Sequence, residues 1–262
     1  MTHTTLPHRL DRNVVIEAEP ETVFKYFSDS DRWASWWGKG STIEPRVGGR
    51  VFIRHPGGVE VSGEVTEVQP PQRIAFTYGY AAGATSPAET SLVTIRLEPE
   101  GRGATRLHLS HAFAETAVRD EHVQGWRYQL ALFGNLVAAE AFSGAADVVD
   151  GWFAAWSDPD TATREATLSR IAAAHVRFRD RFSLIDGMDD LRPHLAAVHK
   201  FMPGMRLERD GDVRHCQGTV LADWVARGAD GQERGRGTNV FVLGAGARIE
   251  NVTGFWNPPR AQ

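Results

Sequence analysis

The chain has 262 residues, with hydrophobic residues at 42% and charged residues at 24%, which describes a globular protein long enough for two domains. A net charge of −4 with dispersed Lys and Arg provides no basic stripe, so nucleic acid is not an expected partner. The single cysteine, Cys216, excludes an internal disulfide and a cysteine-rich zinc site. The opening MTHTTLPHRLDRN has no apolar core of a signal peptide, and no stretch reaches the ~20 apolar residues of a membrane span. The expectation is a soluble protein of the reducing cytoplasm.

Residues 1–11 read as a disordered lead. Over 13–19, Val14 and Ile16 alternate with Asn13 and Glu17, which predicts a strand. Pro20 then opens a helix with Val23, Phe24 and Phe27 on its apolar face, and Asp29-Ser30-Asp31 ends it. Trp33, Trp36 and Trp37 follow in a short helical or irregular piece, and Gly48-Gly49 marks a turn. Strands are predicted at 50–55, 59–68, 73–80, 90–98 and 104–112. Gly57-Gly58, Pro70-Pro71 and Glu100-Gly101 separate them, with a longer loop over 81–88. From Glu115 to Phe142 the apolar period changes to that of a helix, with Trp126, Leu130, Phe133 and Val137 on one stripe and His122 a turn earlier.

A long helix laid across a curved antiparallel sheet leaves a cavity or cleft beneath it. Its candidate lining is Trp36, Trp37, Phe52, Phe76, Tyr78, His108, Trp126, Tyr128, Leu130 and Phe133, with Tyr78 and His108 as the polar members. Nothing in their spacing singles out a catalytic set, so core packing is the favoured reading for each of them.

Three features of this half carry a resemblance: the acidic Gly-Gly turn (Glu44, Pro45, Gly48, Gly49), the run from Gly63 to Ile74, and Gly125-Trp126 in the long helix. Residues 12–142 resemble the SRPBCC superfamily, in the branch named after the C-terminal domain of the heat-shock-protein-90 ATPase activator. The resemblance implies a helix-grip fold with a pocket and names no reaction. The eukaryotic activator has a separate N-terminal domain that engages the chaperone. No such segment is seen ahead of these residues, so chaperone activation is not expected.

The character of the sequence changes at Ser143-Gly144, and 143–147 reads as a short linker in which Gly144 caps one helix and Asp147 opens the next. Helices are predicted at 147–156, 161–174 and 188–201, with a short strand at 175–180 between the last two. Strands follow at 205–209, 213–226, 236–243 and 247–256, turned by Gly228 to Gly231 and by Gly244 to Gly246. The helix VVDGWFAAW, the segment FRDRFSLIDG, the F-M-P-G after the third helix and the closing ARIENVTGFW resemble the nuclear-transport-factor-2-like fold, in its SnoaL-like polyketide cyclase and ketosteroid isomerase branch. This domain covers 148–257 and leaves 258–262 as a tail. The expected class is therefore α+β, with two domains: a helix grip, then a cone-shaped cup of three helices on a curved mixed sheet.

Ketosteroid-isomerase-like enzymes pair a carboxylate base with an oxyanion hole. By motif, the resemblance places the base at Asp180, a hole donor at Asn239 and the first-helix position at Trp152. Arg179 and Arg181 flank Asp180, so a mouth carboxylate paired with arginine remains the alternative. Strand alternation puts Cys216 and Trp224 on one face of 213–226, and Phe241 on the face of Asn239. Trp152, Trp156, Phe178, Cys216, Trp224, Phe241 and Trp256 are the candidate walls, or else an aromatic core. His108 and His111 point to opposite faces, and His194 and His199 are five apart on a helix, so no metal is expected, nor any other cofactor.

The resulting expectation is binding of a hydrophobic, polyketide- or steroid-like small molecule. Cofactor-independent cyclase, isomerase or hydrolase chemistry would fall in the second cup. The alternative is a non-catalytic carrier, sequestering, self-resistance or stress-response accessory protein. A homodimer is compatible with the second resemblance.

Overall fold

A computed structural model describes residues 5–80 and 91–258. The expected loop at 81–88 and most of the expected tail lie outside the described residues. The chain divides into two compact units at Ala138/Ala139.

The first unit contains β1 (His8–Ile16), α1 (Pro20–Lys25), α2 (Ser30–Trp37), β2 (Thr42–Ile43), β3 (Arg50–Arg54), β4 (Glu60–Gln69), β5 (Arg73–Tyr80), β6 (Ser91–Glu100) and β7 (Ala104–Phe113). The long helix α3 (Thr116–Ala141) follows and runs past the boundary. The seven strands form one sheet in the order β1-β7-β6-β5-β4-β3-β2, antiparallel throughout. Period-2 stretches became strands and the 3.6-period stretch became one helix, because each pattern gathers its apolar side chains on a single face.

Two expectations need correction. The first strand starts at His8, inside the segment read as disordered, and every residue from His8 to Ile16 pairs with β7. Only Leu10 and Ile16 of this strand are fully buried, so the hydrophobic alternation that would mark it is diluted by Arg, Asp and Asn on the outer face. Asp29 does not end a helix but caps the next one, accepting a hydrogen bond from the Arg32 N–H at 2.9 Å.

The sheet curls at β4. A Cβ on Gly63 would collide with the Thr77 carbonyl, so glycine there lets the β5 backbone approach closely, and a bulge follows between Val65 and Glu67. The acidic Gly-Gly turn is tied to the same strand: the Gly48 N–H donates to the Val65 carbonyl at 2.9 Å, and the Val65 N–H donates to that of Gly49 at 2.8 Å. The core over this curl is aromatic, with Phe27, Trp33, Phe76 and Phe133 fully buried.

The second unit contains α4 (Ala145–Ser157), α5 (Thr161–Ile171), β8 (Ala172–Arg179), β9 (Leu184–Asp186), α6 (Met188–Phe201), β10 (Arg206–Arg209), β11 (Arg214–Cys216), β12 (Thr219–Arg227), β13 (Glu233–Gly244) and β14 (Arg248–Trp256). The sheet order is β10-β12-β13-β14-β8-β9, with β11 paired to β12 and β8 running parallel to β14. The protein is thus α+β in both units.

Three details differ from the sequence reading. Asp147 lies inside the first turn of α4, whose cap is Gly144. The second helix of this unit stops at Ile171, and Ala172 already opens β8; pairing of this alanine-rich segment with β14 overrides its helical propensity. The strand expected over 213–226 is two strands joined by a tight turn. Gln217 (φ 47°) and Gly218 (φ 81°) both adopt the left-handed conformation, and Cys216 pairs with Thr219 across it.

Candidate functional site

The second unit holds a cavity of about 350 Å³, at the lower end of the roughly 300–1,000 Å³ usual for small-molecule sites. Its walls include Trp152, Trp156, Phe178, Trp224 and Trp256, and its polar groups include Asp180, Asn239 and His194.

Asp180 follows the last residue of β8 and opens the turn into β9. Its N–H donates to the Ser183 carbonyl at 3.1 Å, and its Oδ1 accepts from the Phe182 N–H at 2.8 Å, a carboxylate-anchored turn. Its Oδ2 accepts from the Trp256 indole N–H at 3.1 Å. Among the described residues, neither neighbouring arginine pairs with this carboxylate, and the Arg181 guanidinium lies instead over the Phe182 ring at 4.9 Å.

Asn239 projects from β13 and is almost fully buried. Its Oδ1 accepts from the Trp224 indole N–H at 2.9 Å. An indole N–H only donates, so the atom facing it must be the amide oxygen, and this bond fixes which way the amide NH₂ points. Asn239 pairs with Gly254 across β13 and β14, and β14 lies beside β8. A Cβ on Gly254 would sit 3.1 Å from Asn239 Oδ1 and 3.2 Å from Asp180 Cβ. The Asp180 and Asn239 side chains therefore flank one glycine, and a methyl group there would push them by a few tenths of an ångström.

Trp152 and Trp156 contribute apolar wall, and both indole N–H groups are buried without an acceptor among the described residues. His194 stands on α6 edge-on to Trp156 at 5.6 Å, with Nε2 3.4 Å from Ser183 Oγ. Burial lowers its pKa, and nearby Asp180 opposes that shift. At neutral pH the imidazole is neutral.

Of the second-unit candidates, Trp152, Trp156, Phe178, Asp180, Trp224, Asn239 and Trp256 meet at this cavity. Cys216 does not: the hairpin at Gln217-Gly218 leaves it exposed. Phe241 is fully buried in the core, edge-on to Trp152 at 6.2 Å and to Phe153 at 6.1 Å. The sequence reading missed His194 and Met202 as lining residues, although His194 and Val198 of α6 and Met202 at its C-cap recur every fourth residue.

The first unit has its own cavity, about 360 Å³, under the N-terminal part of α3. Trp37, Tyr78 and Trp126 line it as expected, and Tyr128 stands exposed at its rim. Trp36, Phe76, Leu130 and Phe133 belong to the core instead. The Trp36 indole N–H donates to the Tyr26 carbonyl at 3.3 Å, and Phe133 packs on Phe27 at 5.1 Å. Phe52 alternates with the fully buried Val51 and Ile53, so it lies on the outer face, with the Arg50 and Arg54 guanidinium groups 5.3 and 5.6 Å from its ring. His108 also faces outward, within hydrogen-bond distance of Asn13 at 2.8 Å and Glu98 at 3.0 Å.

Apart from Tyr78, the sequence reading missed the polar side of this cavity. His122 Nδ1 lies 2.7 Å from the Val118 carbonyl and so carries the proton, which leaves Nε2 to accept from the Tyr80 hydroxyl at 3.0 Å. His55 Nε2 meets the Tyr78 hydroxyl at 3.3 Å. Behind them His111 Nδ1 accepts from the Trp126 indole N–H at 2.9 Å, and its Nε2–H therefore donates to Ser91 Oγ at 2.8 Å. Burial lowers the pKa of His55, His111 and His122, most for His111, and the charge on His122 adds to the shift of the first two. Burial raises Tyr78 well above the usual phenol value and raises Tyr80 as well. The cluster is uncharged at neutral pH. Tyr78 and Tyr80 are two apart on a strand, and His122 and Trp126 four apart on a helix; those spacings were the available signal.

Among the described residues, no group of three or more His, Cys, Asp or Glu is placed to hold a metal ion. Nor is any single helix there long and apolar enough to cross a membrane.

The first unit is a helix grip: an antiparallel sheet curled against one long C-terminal helix. Residues 17–138 match the model of the family described as "Activator of Hsp90 ATPase homolog 1-like protein". No curated protein matches the chain significantly in sequence. Solved structures similar to it include a SnoaL-like family protein from Agrobacterium tumefaciens, at 23% identity and TM-score 0.42, covering 44% of this chain and 99% of that one. The Aha1 dimer from Colwellia psychrerythraea is 19% identical at TM-score 0.41, covering 47% and 90%. CalU16 from Micromonospora echinospora is 25% identical at TM-score 0.41, covering 48% and 73%. The family whose model matches residues 17–138 is the branch that the first half of the sequence resembles.

Proposed function

We propose that the second unit binds an apolar, carbonyl-bearing small molecule of polyketide- or steroid-like shape and moves a proton on it without a cofactor. The observation that carries this reading is the meeting of Asp180 and Asn239 across Gly254 on the wall of an otherwise apolar cavity. In this scheme the Asp180 carboxylate takes a proton from the carbon next to the ligand carbonyl. The Asn239 NH₂, aimed by Trp224, donates to the oxygen on which negative charge develops. Asp180 then returns the proton to a different carbon, so the net change is an isomerisation and Asp180 is regenerated. The aromatic walls supply affinity, since about 200 Å² of apolar ligand surface at ~25 cal/mol per Å² gives about 5 kcal/mol before the costs of association.

A second reading rests on one observation. Both Asp180 oxygens already accept hydrogen bonds, from the Phe182 N–H and the Trp256 indole, as suits a carboxylate that shapes the mouth of a carrier. One experiment separates the two readings: a β,γ-unsaturated steroid ketone is added, tryptophan fluorescence reports binding, and ultraviolet absorbance reports the conjugated product. Turnover that Asp180→Asn abolishes while leaving binding intact supports catalysis. Binding without turnover above background leaves the carrier reading, and absence of binding refutes both. A cytoplasmic setting belongs to the same proposal and rests on the single free cysteine.

A further inference from the structure

Besides Asp180 and Asn239, the second unit's cavity holds a hydroxyl beside an imidazole. Ser183 Oγ lies 3.4 Å from His194 Nε2, and both residues line the cavity. We propose that this pair is a nucleophile and its base, and that it hydrolyses neutral apolar esters through an acyl-Ser183 intermediate. The inference rests on the same apolar cavity as the proposed isomerisation but on a different pair of residues.

The Asp180 turn sets the serine in place. Its N–H donates to the Ser183 carbonyl at 3.1 Å while its Oδ1 accepts from the Phe182 N–H at 2.8 Å, so Ser183 closes an anchored turn. The base stands on α6, edge-on to Trp156 at 5.6 Å. Burial keeps this imidazole neutral and able to take a proton at neutral pH, and the nearby Asp180 carboxylate favours the imidazolium that forms during attack. The 3.4 Å separation exceeds the ~2.6–3.2 Å of a poised pair, which is common without substrate. Donors for the developing oxyanion are also present. The Asn239 amide is oriented by Trp224, and Trp152 and Trp156 carry buried indole N–H groups with no acceptor among the described residues. Unsatisfied buried donors are costly, and an ester carbonyl in the cavity offers them an acceptor. Among the described residues no Lys or Arg lines the cavity, and Asp180 adds a carboxylate, so an anionic ester is repelled.

In the first step Ser183 Oγ adds to the ester carbonyl carbon as its proton passes to His194 Nε2. The bond from that carbon to the alcohol oxygen breaks, and His194 returns the proton to the leaving alcohol. Water then adds to acyl-Ser183 and gives a proton to His194; the acyl–Oγ bond breaks and Oγ takes the proton back. One water is consumed, an acid and an alcohol leave, and both side chains are regenerated.

The test gives the full chain 4-nitrophenyl butyrate, follows the released nitrophenol by absorbance, and maps the quenched protein by peptide mass spectrometry. The expected result is a burst of about one nitrophenol per chain and a butyryl group on Ser183. The kcat/KM should fall in acid as His194 takes up its proton, with a midpoint below 6.5. Ser183→Ala and His194→Gln should each lower it about 100-fold or more, the usual contribution of a positioned base. Mapping on the unaltered chain keeps the test independent of whether either variant folds. A butyryl group only on other residues, no burst, or the wild-type rate in folded Ser183→Ala overturns the proposal. A chain that isomerises the steroid ketone but forms no acyl-Ser183 refutes this inference alone, whereas one that acylates Ser183 and leaves the ketone unchanged supports it and refutes only the isomerisation.

Discussion

Acid should weaken the first unit through His111, and the size of the effect follows from its surroundings. The imidazole is fully buried and bonded on both nitrogens as the neutral tautomer, with burial holding its pKa well below the usual value and His122 adding to the shift. An unfolded histidine titrates near 6.5. Above that pH both states are neutral and His111 exerts no pH-dependent effect. Below it the unfolded chain takes up a proton that the folded unit refuses, so stability falls as pH drops through 6.5 toward the folded value. Between about pH 7.5 and about pH 5.5 the loss from His111 alone comes to about 1.3 kcal/mol, provided it stays neutral when folded. His55 and His122, only partly buried, shift in the same direction and steepen the slope. Native-state hydrogen exchange of the slowest β6 and β7 amides measures this without interference from the second unit. After correction for intrinsic rates, exchange should be about ten-fold faster at the lower pH. His111→Gln keeps an acceptor for Trp126 and a donor for Ser91 but has no proton to gain, so it should flatten the slope by that amount. Equal slopes in the wild type and His111→Gln would refute the reasoning.

Three further outcomes are expected. Gly254→Ala places a methyl 3.1 Å from Asn239 Oδ1 and 3.2 Å from Asp180 Cβ, so ketone affinity or turnover should fall about ten-fold or more while thermal stability changes little, as misplacement of site groups by under an ångström predicts. Trp224→Phe leaves the buried Asn239 oxygen without its donor, so chemical denaturation should show a loss of about 1–3 kcal/mol, together with weaker discrimination of ketones over hydrocarbons by fluorescence titration. Phe241→Ala should cost about 3–5 kcal/mol, whereas Cys216→Ser should stay within about 0.5 kcal/mol and leave ligand affinity unchanged.

Those last two residues mark where the sequence was and was not legible. Alternation assigned Cys216 and Trp224 to one face of one strand, which is sound only if the strand is continuous. Two left-handed residues, Gln217 and Gly218, reverse the chain there, and a glutamine gives weak warning of such a turn. Phe241 and Asn239 do share a face, but depth along the strand decides which reaches the cavity and which meets Trp152, and periodicity carries no depth. In the first unit the same parity rule placed His108 and His111 on opposite faces; only the register with β1 and β6 shows that His111 is the inward one. Asp180 and Asn239 were legible because a resemblance located them. Their proximity was not, since it depends on parallel pairing of β8 with β14, two strands about seventy residues apart in sequence.

The two cavities reach their polarity by opposite routes, and this bears on how each could act. In the second unit a donor-only indole fixes the orientation of an amide, and that amide lines the same aromatic cavity as a carboxylate. In the proposed reaction that pair has a direction: proton to the carboxylate, developing charge toward the amide. In the first unit's cavity a carbonyl and an indole fix two imidazole tautomers, His122 and His111, and burial moves His55, His111, His122, Tyr78 and Tyr80 toward their uncharged forms. Such a cluster resists storing a charge. A proton transfer that creates an ion is therefore better accommodated in the second cavity than in the first.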